Sequence, residues 1–264
     1  MALMRMRWLK RSTHFCSPNK PSFGVRAKSR APLALLRSVM LHLTPRLAAV
    51  TDAVKPCGCV ADIGTDHAYV PIRLLQEGKV SRAIAADIHK QPLENARRSV
   101  EHYGLEDRVE LRLSDGLQNI RTGEAQTIII AGMGGEQIAE MLYLTPWLQK
   151  KDTQLVLQPM THSEDVRRAL RENGFSKVFE TTVAEGRRIY LVISAAWDDT
   201  KMSRVTAGSD YIGALRPHEV ETDRLFLQNV LRRLQTKANA LREKGDRQAA
   251  ALNEIIREVS DACR

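Results

Sequence analysis

Apolar runs alternate with amphipathic stretches along the middle of the chain, and the runs end on an acidic residue, a glycine or a proline. Cys59–Ile63 runs into Gly64, and Ser81–Ala86 into Asp87. Val109–Leu113 alternates and delivers Asp115-Gly116-Leu117; Thr127–Ala131 is continuously apolar and gives way to Gly132-Met133-Gly134-Gly135. Leu155–Leu157 leads to Gln158-Pro159. Helical patterns lie between, over about Val70–Glu77, Pro92–Tyr103 with Gly104 as cap, a stripe of Ile138, Met141 and Leu142, and Ser163–Asn173 stopped by Gly174. Alternation of this kind predicts a parallel sheet with helices on both faces, and a central strand as apolar as Thr127–Ala131 is expected to be buried on both sides. Two last strands, about Ser176–Ala184 and Arg188–Ala196, are separated only by the turn Glu185-Gly186, so the final one must run antiparallel to its neighbour. The fold class expected is α/β, a Rossmann-like sheet of seven strands whose last is reversed.

The flanks read differently. Residues 1–40 carry nine Lys or Arg and no Asp or Glu; the remainder of the chain, with 31 basic and 31 acidic residues (40 − 9 = 31), is neutral. The formal charge of +9 therefore belongs to this leading segment and says nothing about RNA binding by the folded part. Three readings fit a disordered basic extension: an organellar transit peptide, a nucleic-acid-binding arm, or sequence upstream of a true start at Met40. The last is favoured, because ordered patterning begins just after Met40. Thr44 is expected to cap a helix that has Pro45 at its first position and Leu47, Val50 and Val54 on one face. The catalytic domain is expected over residues 41–200. Residues 201–264 are expected to be a linker and a coiled-coil-like helical hairpin, with Leu227, Val230, Leu231, Leu234, Ala238 and Leu241 facing Leu252, Ile255, Ile256 and Val259 across Gly245.

No run approaches the roughly 20 apolar residues that span a bilayer. Cys16, Cys57, Cys59 and Cys263 show neither a disulfide framework nor a zinc-site spacing, so a reduced cytoplasmic protein without a metal is expected, with organellar import only if the basic extension is real.

In an open α/β sheet, ligands bind at the carboxyl ends of the strands near the point where strand order reverses. Asp62 and Gly64, Asp87, and Asp115 with Gly116 supply carboxylates at three consecutive strand ends. A turn needs no such charge at each. A ligand with an ammonium, a ribose diol and an aromatic amine would use all three, and S-adenosylmethionine (SAM) is such a ligand. Asp62 and Gly64 would frame its methionine end, and Asp87 would accept both ribose hydroxyls. Asp115 would lie near the adenine. The reversed last strand and the lack of GxGxxG argue against a nicotinamide-dependent sheet.

"VADIGTDHAYVP", "SDGL", "IIIAGMGG" and "LVLQP", in this order, with "LTPRLAAV" before the first strand and a helical hairpin after the last, resemble the bacterial TrmK family of tRNA (adenine(22)-N(1))-methyltransferases. The resemblance covers about residues 43–264. It implies a class I methyltransferase with SAM as cofactor and tRNA as partner. The cofactor residues implied are Asp62, Ile63, Gly64, Asp66, His67, Asp87, Ile88, Asp115, Gly116, Leu117, Gly132, Met133 and Gly134. Asp66 and Ala68 stand where a glycine-rich loop would have further glycines. Ala131-Gly132-Met133-Gly134 replaces the Asn/Asp-Pro-Pro-aromatic motif of enzymes that methylate the exocyclic amine, which favours a ring nitrogen as target.

Tyr69 is the candidate for stacking on the target base, set against a core tyrosine. Arg46 is the candidate for gripping a phosphate or orienting the base, and Asp115 for bonding its amino group; these three are the expected catalytic residues. Gln158, Pro159, Arg232, Arg233 and Lys237 complete the substrate set, although a solvated helix face is the favoured reading for each of the last three. A monomer is expected. Competing readings are a methyltransferase for a small molecule or protein, a dehydrogenase, and a non-enzymatic adaptor.

Overall fold

The computed structural model describes residues 39–198 and 205–264; the basic extension, except its last two residues, lies outside them. Seven strands form one sheet: β1 (Cys57–Ile63), β2 (Val80–Asp87), β3 (Val109–Leu113), β4 (Thr127–Gly134), β5 (Gln154–Thr161), β6 (Phe175–Glu185) and β7 (Arg188–Trp197). Their order is β3-β2-β1-β4-β5-β7-β6. β1 to β5 are mutually parallel where they pair, and β7 runs antiparallel between β5 and β6. The order reverses between β1 and β4, which places the crevice of such a sheet beside Asp62 and Gly132.

Alternation along the central strands explains both cores. Val60, Ala85, Ile129 and Val156 face one side, with α1 (Pro45–Ala53), α2 (Tyr69–Gln76) and α3 (Lys90–Tyr103). Ala61, Ile63, Ile128, Ile130 and Leu157 face the other, with α4 (Gly135–Leu144) and α5 (Ser163–Glu172). α4 starts hard against the turn after β5. A methyl group on Gly135 would collide with the carbonyls of Thr161 and His162, so only glycine fits there.

After a short helix, α6 (Ser209–Ile212), the chain forms α7 (Glu221–Glu243) and α8 (Gln248–Ala262), which pack on Val230, Leu234, Ala238, Leu252 and Val259. The first half of α7 also belongs to the sheet: Leu227 is fully buried in the sheet's own core. Thr182 of β6 donates to Asp223 at 2.5 Å, and Arg233 meets Glu164 of α5 at 2.8 Å. The buried pair Arg167–Glu180, with Arg167 also donating to the carbonyls of Asp210 and Tyr211, fixes α6. Among the described residues no helix is long and apolar enough to cross a membrane.

Two strands outrun expectation. The Gly132-Met133-Gly134 segment is the bulged end of β4, still paired to β5 through Met133↔Pro159 and Gly134↔Thr161. Gln158 and Pro159 accordingly lie inside β5. Proline is tolerated because β7 pairs with β5 only as far as Leu157↔Ile193, so no N–H is needed on that side.

Candidate active site

The three acidic strand ends are brought together by backbone hydrogen bonds. Gly64 and Thr65 N–H groups donate to the Ala86 carbonyl at 2.8 and 3.0 Å, and Ser114 N–H donates to the Asp87 carbonyl at 2.9 Å. The turns after β1 and β3 are thereby pinned to the end of β2. Asp62 is buried, and burial pushes its carboxyl up to about 6, although a Thr65 hydrogen bond lowers it; the Asp87 charge adds to the rise. Gly64 has φ +77°, and a side chain there would run into the Met133 methyl. Gly132, with φ +84°, and Gly116, with φ +52°, keep the facing backbone bare. Ile88 is half-exposed beside Asp87, and Leu117 is buried beneath.

Asp66 and His67 extend this side. The Asn95 amide donates to Asp66 at 3.1 Å, and His67 Nε2 lies 3.3 Å from the other Asp66 oxygen. The His67 ring stacks on Tyr69 with centroids 4.9 Å apart and planes 13° from parallel. Tyr69 opens α2 and is 37% exposed, so it is not a core tyrosine.

Across the switch point the side chains are donors. Arg46 Nη1 donates to Gln158 Oε1 at 2.7 Å, and its guanidinium lies over the Tyr190 ring, 5.6 Å from the centroid. Gln158 is fully buried, its amide oriented by donation to the Pro159 carbonyl at 2.9 Å. Thr44 holds the N-cap position of α1, but its side chain does not cap the helix. Instead Glu185, the last residue of β6, accepts the Arg46 N–H at 2.9 Å and a Thr44 hydrogen bond. These bonds hold the Glu185 carboxyl below its ordinary range. Glu185 and Tyr190 are not among the site residues expected from the sequence. They lie more than 130 residues from Arg46, and no local pattern announces such a contact.

The acceptor side suits a ligand bearing a cation and hydroxyls; the donor side suits an anion or the polar edge of a base. Asp115 stands apart from the donor side. β3 and β5 are four strand spacings apart, about 19 Å at 4.8 Å each. The expected contact of Asp115 with a base held beside Gln158 therefore does not fit the sheet order. Its exposed carboxylate accepts from Gln118 at 3.1 Å. The hairpin cations have other surroundings: Arg233 pairs with Glu164, Arg232 bonds Asn229, and Lys237 is exposed one turn further along α7.

Residues 43–193 match the family model described as methyltransferase domain. The tRNA (adenine(22)-N(1))-methyltransferase of Bacillus subtilis is 36% identical over 159 residues, 60% of this chain and 67% of that protein. The chain belongs to the TrmK family. The crystal structure of Bacillus subtilis TrmK superposes with a TM-score of 0.75 at 29% identity, covering 85% of this chain and all of the other. The Streptococcus pneumoniae homologue Sp1610, solved in complex with S-adenosyl-L-methionine, gives 0.70 at 28% identity, over 84% of this chain and all of the other. The TrmK motifs fall on the walls just described: "ADIGTDHAYVP" runs from β1 into α2, and "IAGMGG" forms the bulged end of β4.

Proposed function

We propose that this chain is a SAM-dependent tRNA methyltransferase that modifies N1 of an adenine, the one at position 22 in the activity named for its relatives. The observation that carries the reading is the division of the site. Acidic strand ends line one wall and the Arg46–Gln158 pair lines the other, within a chain 36% identical to an enzyme of that name.

The acceptor set fits the cofactor. Buried Asp62 would offer a carboxylate to the cofactor's ammonium, Asp87 would offer its oxygens to the ribose diol, and Ile88, Leu117 and Asp115 would lie on the adenine side. Bare backbone at Gly64 and Gly132 permits close approach. When bound, SAM supplies an electrophilic methyl group on a sulfonium.

Adenine N1 carries an in-plane lone pair and needs no base before it attacks. The protein's task is thus alignment and exclusion of water. N1 is hidden in a paired helix, so the base must leave its stack before it can be read. Tyr69, backed by His67, offers a ring for that base. Arg46 spends one N–H on Gln158 and keeps others for a phosphate or the base edge. Asp115, which follows β3, four strands from Gln158, works on the cofactor side. A chain of this kind acts in the cytoplasm, where its tRNA is found.

The test is incubation of the protein with labelled SAM and unmodified tRNA, followed by mapping of the modified adenine. Transfer to a single adenine, blocked on its pairing edge, is expected. Absence of transfer to any tRNA overturns the reading, and transfer only to a protein or small molecule replaces it with the competing one.

A further inference from the structure

The sheet is split on its donor side. β5 and β7 pair up to Leu157↔Ile193 and then part, because Pro159 has no N–H with which to continue the ladder. β7 stays with β6, while the end of β5 follows β4. Had pairing continued, Met160 would stand opposite Tyr190. Instead these two residues line a cleft of about 500 Å³, closed on its third side by Phe226 and Arg233 of α7. That volume is within the range of small-ligand sites, roughly 300–1,000 Å³.

Three features identify the occupant. No Asp or Glu lines the cleft, whereas Arg187, Arg188 and Arg233 do. Arg233 is neutralised by Glu164, but Arg187 and Arg188 are exposed and have no carboxylate partner among the described residues. The interior is apolar, with Met160 40% exposed and Phe226 half-buried. Finally, the cleft adjoins the reaction site: Tyr190, one of its lining residues, carries the Arg46 guanidinium, and Pro159, next to Gln158, forms part of its wall.

We propose that this cleft is a second nucleotide subsite, which takes the nucleotide flanking the target adenine. Its base lies against Met160, Tyr190 and Phe226, and its phosphate lies between Arg187 and Arg188. The assignment rests on the tRNA-methylating reading above. Extrusion of one base unstacks its neighbour, and a groove that joins free cations to apolar and aromatic surface is how proteins hold unstacked strands.

The experiment compares wild type, an R187A/R188A double variant and M160E for binding of unmodified tRNA at several salt concentrations. SAM affinity and methyl transfer are measured in parallel. All three positions are exposed, so folding should be unaffected. The double variant is expected to bind tRNA about tenfold more weakly. The slope of log K against log salt should shrink by about 0.7, the value for one phosphate contact on a single strand. M160E, which keeps both arginines but puts a carboxylate in the cleft, should weaken tRNA binding comparably, and SAM affinity should not move in either. If wild type methylates tRNA while both variants keep its affinity and salt slope, the subsite is wrong and the enzyme reading stands. If wild type methylates no tRNA, the enzyme reading fails and the subsite with it.

Discussion

The two walls of the crevice are built by opposite means. On the acidic wall, Asp62, Asp87 and Asp115 are placed by successive strand ends, and neighbouring backbone hydrogen bonds tie the turns together. On the donor wall, Arg46 is held by Glu185, Gln158 and Tyr190, which come from three places far along the chain. The first wall is a property of strand order; the second exists only once β7 has folded back between β5 and β6. A cofactor shared by many methyltransferases can be met by local geometry, whereas a particular substrate demands a long-range assembly. Variants on the two walls should therefore separate, with cofactor affinity lost on one and substrate handling on the other.

The largest effect expected on the acidic wall is that of Asp87→Ala. Two hydrogen bonds from a ribose diol to a carboxylate contribute about 1.5–3 kcal/mol each, so SAM affinity should fall at least a hundredfold in calorimetry. Binding of tRNA should stay close to wild type. Unchanged SAM affinity would remove Asp87 from the cofactor site, and an equal loss of tRNA affinity would break the division between the walls.

Asp62 sharpens the same contrast through pH. Its folded pKa of about 6 exceeds its ordinary value of 3.8, so the folded state holds the proton more tightly than the unfolded one. Stability without ligand should therefore fall as pH rises from about 4 to 6 and level off above. The shift of about two units sets a ceiling near 3 kcal/mol, of which about 2 is a reasonable expectation. Asp62→Asn should abolish this pH dependence and raise the denaturation midpoint at pH 7.5. It should also weaken SAM binding, because the carboxylate that burial penalises is the one its ammonium would use. If the Asp62→Asn protein is no more stable at pH 7.5 than wild type, the burial penalty is not expressed.

How much of this is legible in the sequence follows the same line. The pattern marks Val109–Leu113 to the residue, Gly104 and Gly174 close their helices, and the acidic strand ends announce themselves, because each depends on a few adjacent residues. The same pattern makes β4 and β5 too short. Glycine and proline are locally strand breakers, and only pairing with a neighbour shows that Met133 and Pro159 remain in the ladder. Position alone makes Thr44 a helix cap; Glu185, 139 residues from Arg46, accepts the bond to the first turn instead. The hairpin's stripe is plain, but nothing in it foretells that Leu227 enters the sheet's core or that Arg233 is occupied by Glu164. Periodicity reports which face is buried, not against what.

Gln158→Ala probes the donor wall by the smallest step. The side chain is fully buried, accepts from Arg46 at 2.7 Å and donates to the Pro159 carbonyl. Its removal frees the guanidinium to swing while leaving Glu185 and Tyr190 in contact with Arg46. One hydrogen bond involving a charged group is at stake, so kcat/KM for tRNA should fall about tenfold, a loss of roughly 1.4 kcal/mol in transition-state binding. SAM affinity should be retained, since no acceptor of the acidic wall is touched. Gln158→Glu separates position from charge: a carboxylate keeps the bond to Arg46 but neutralises a cation intended for an anionic strand. If position alone matters, Gln158→Glu should recover most of the rate that Gln158→Ala loses. If Arg46 acts as a phosphate clamp, the glutamate variant should be slower than the alanine and its tRNA KM should rise further. Equal SAM affinity in all three proteins is the measurement on which the independence of the two walls depends.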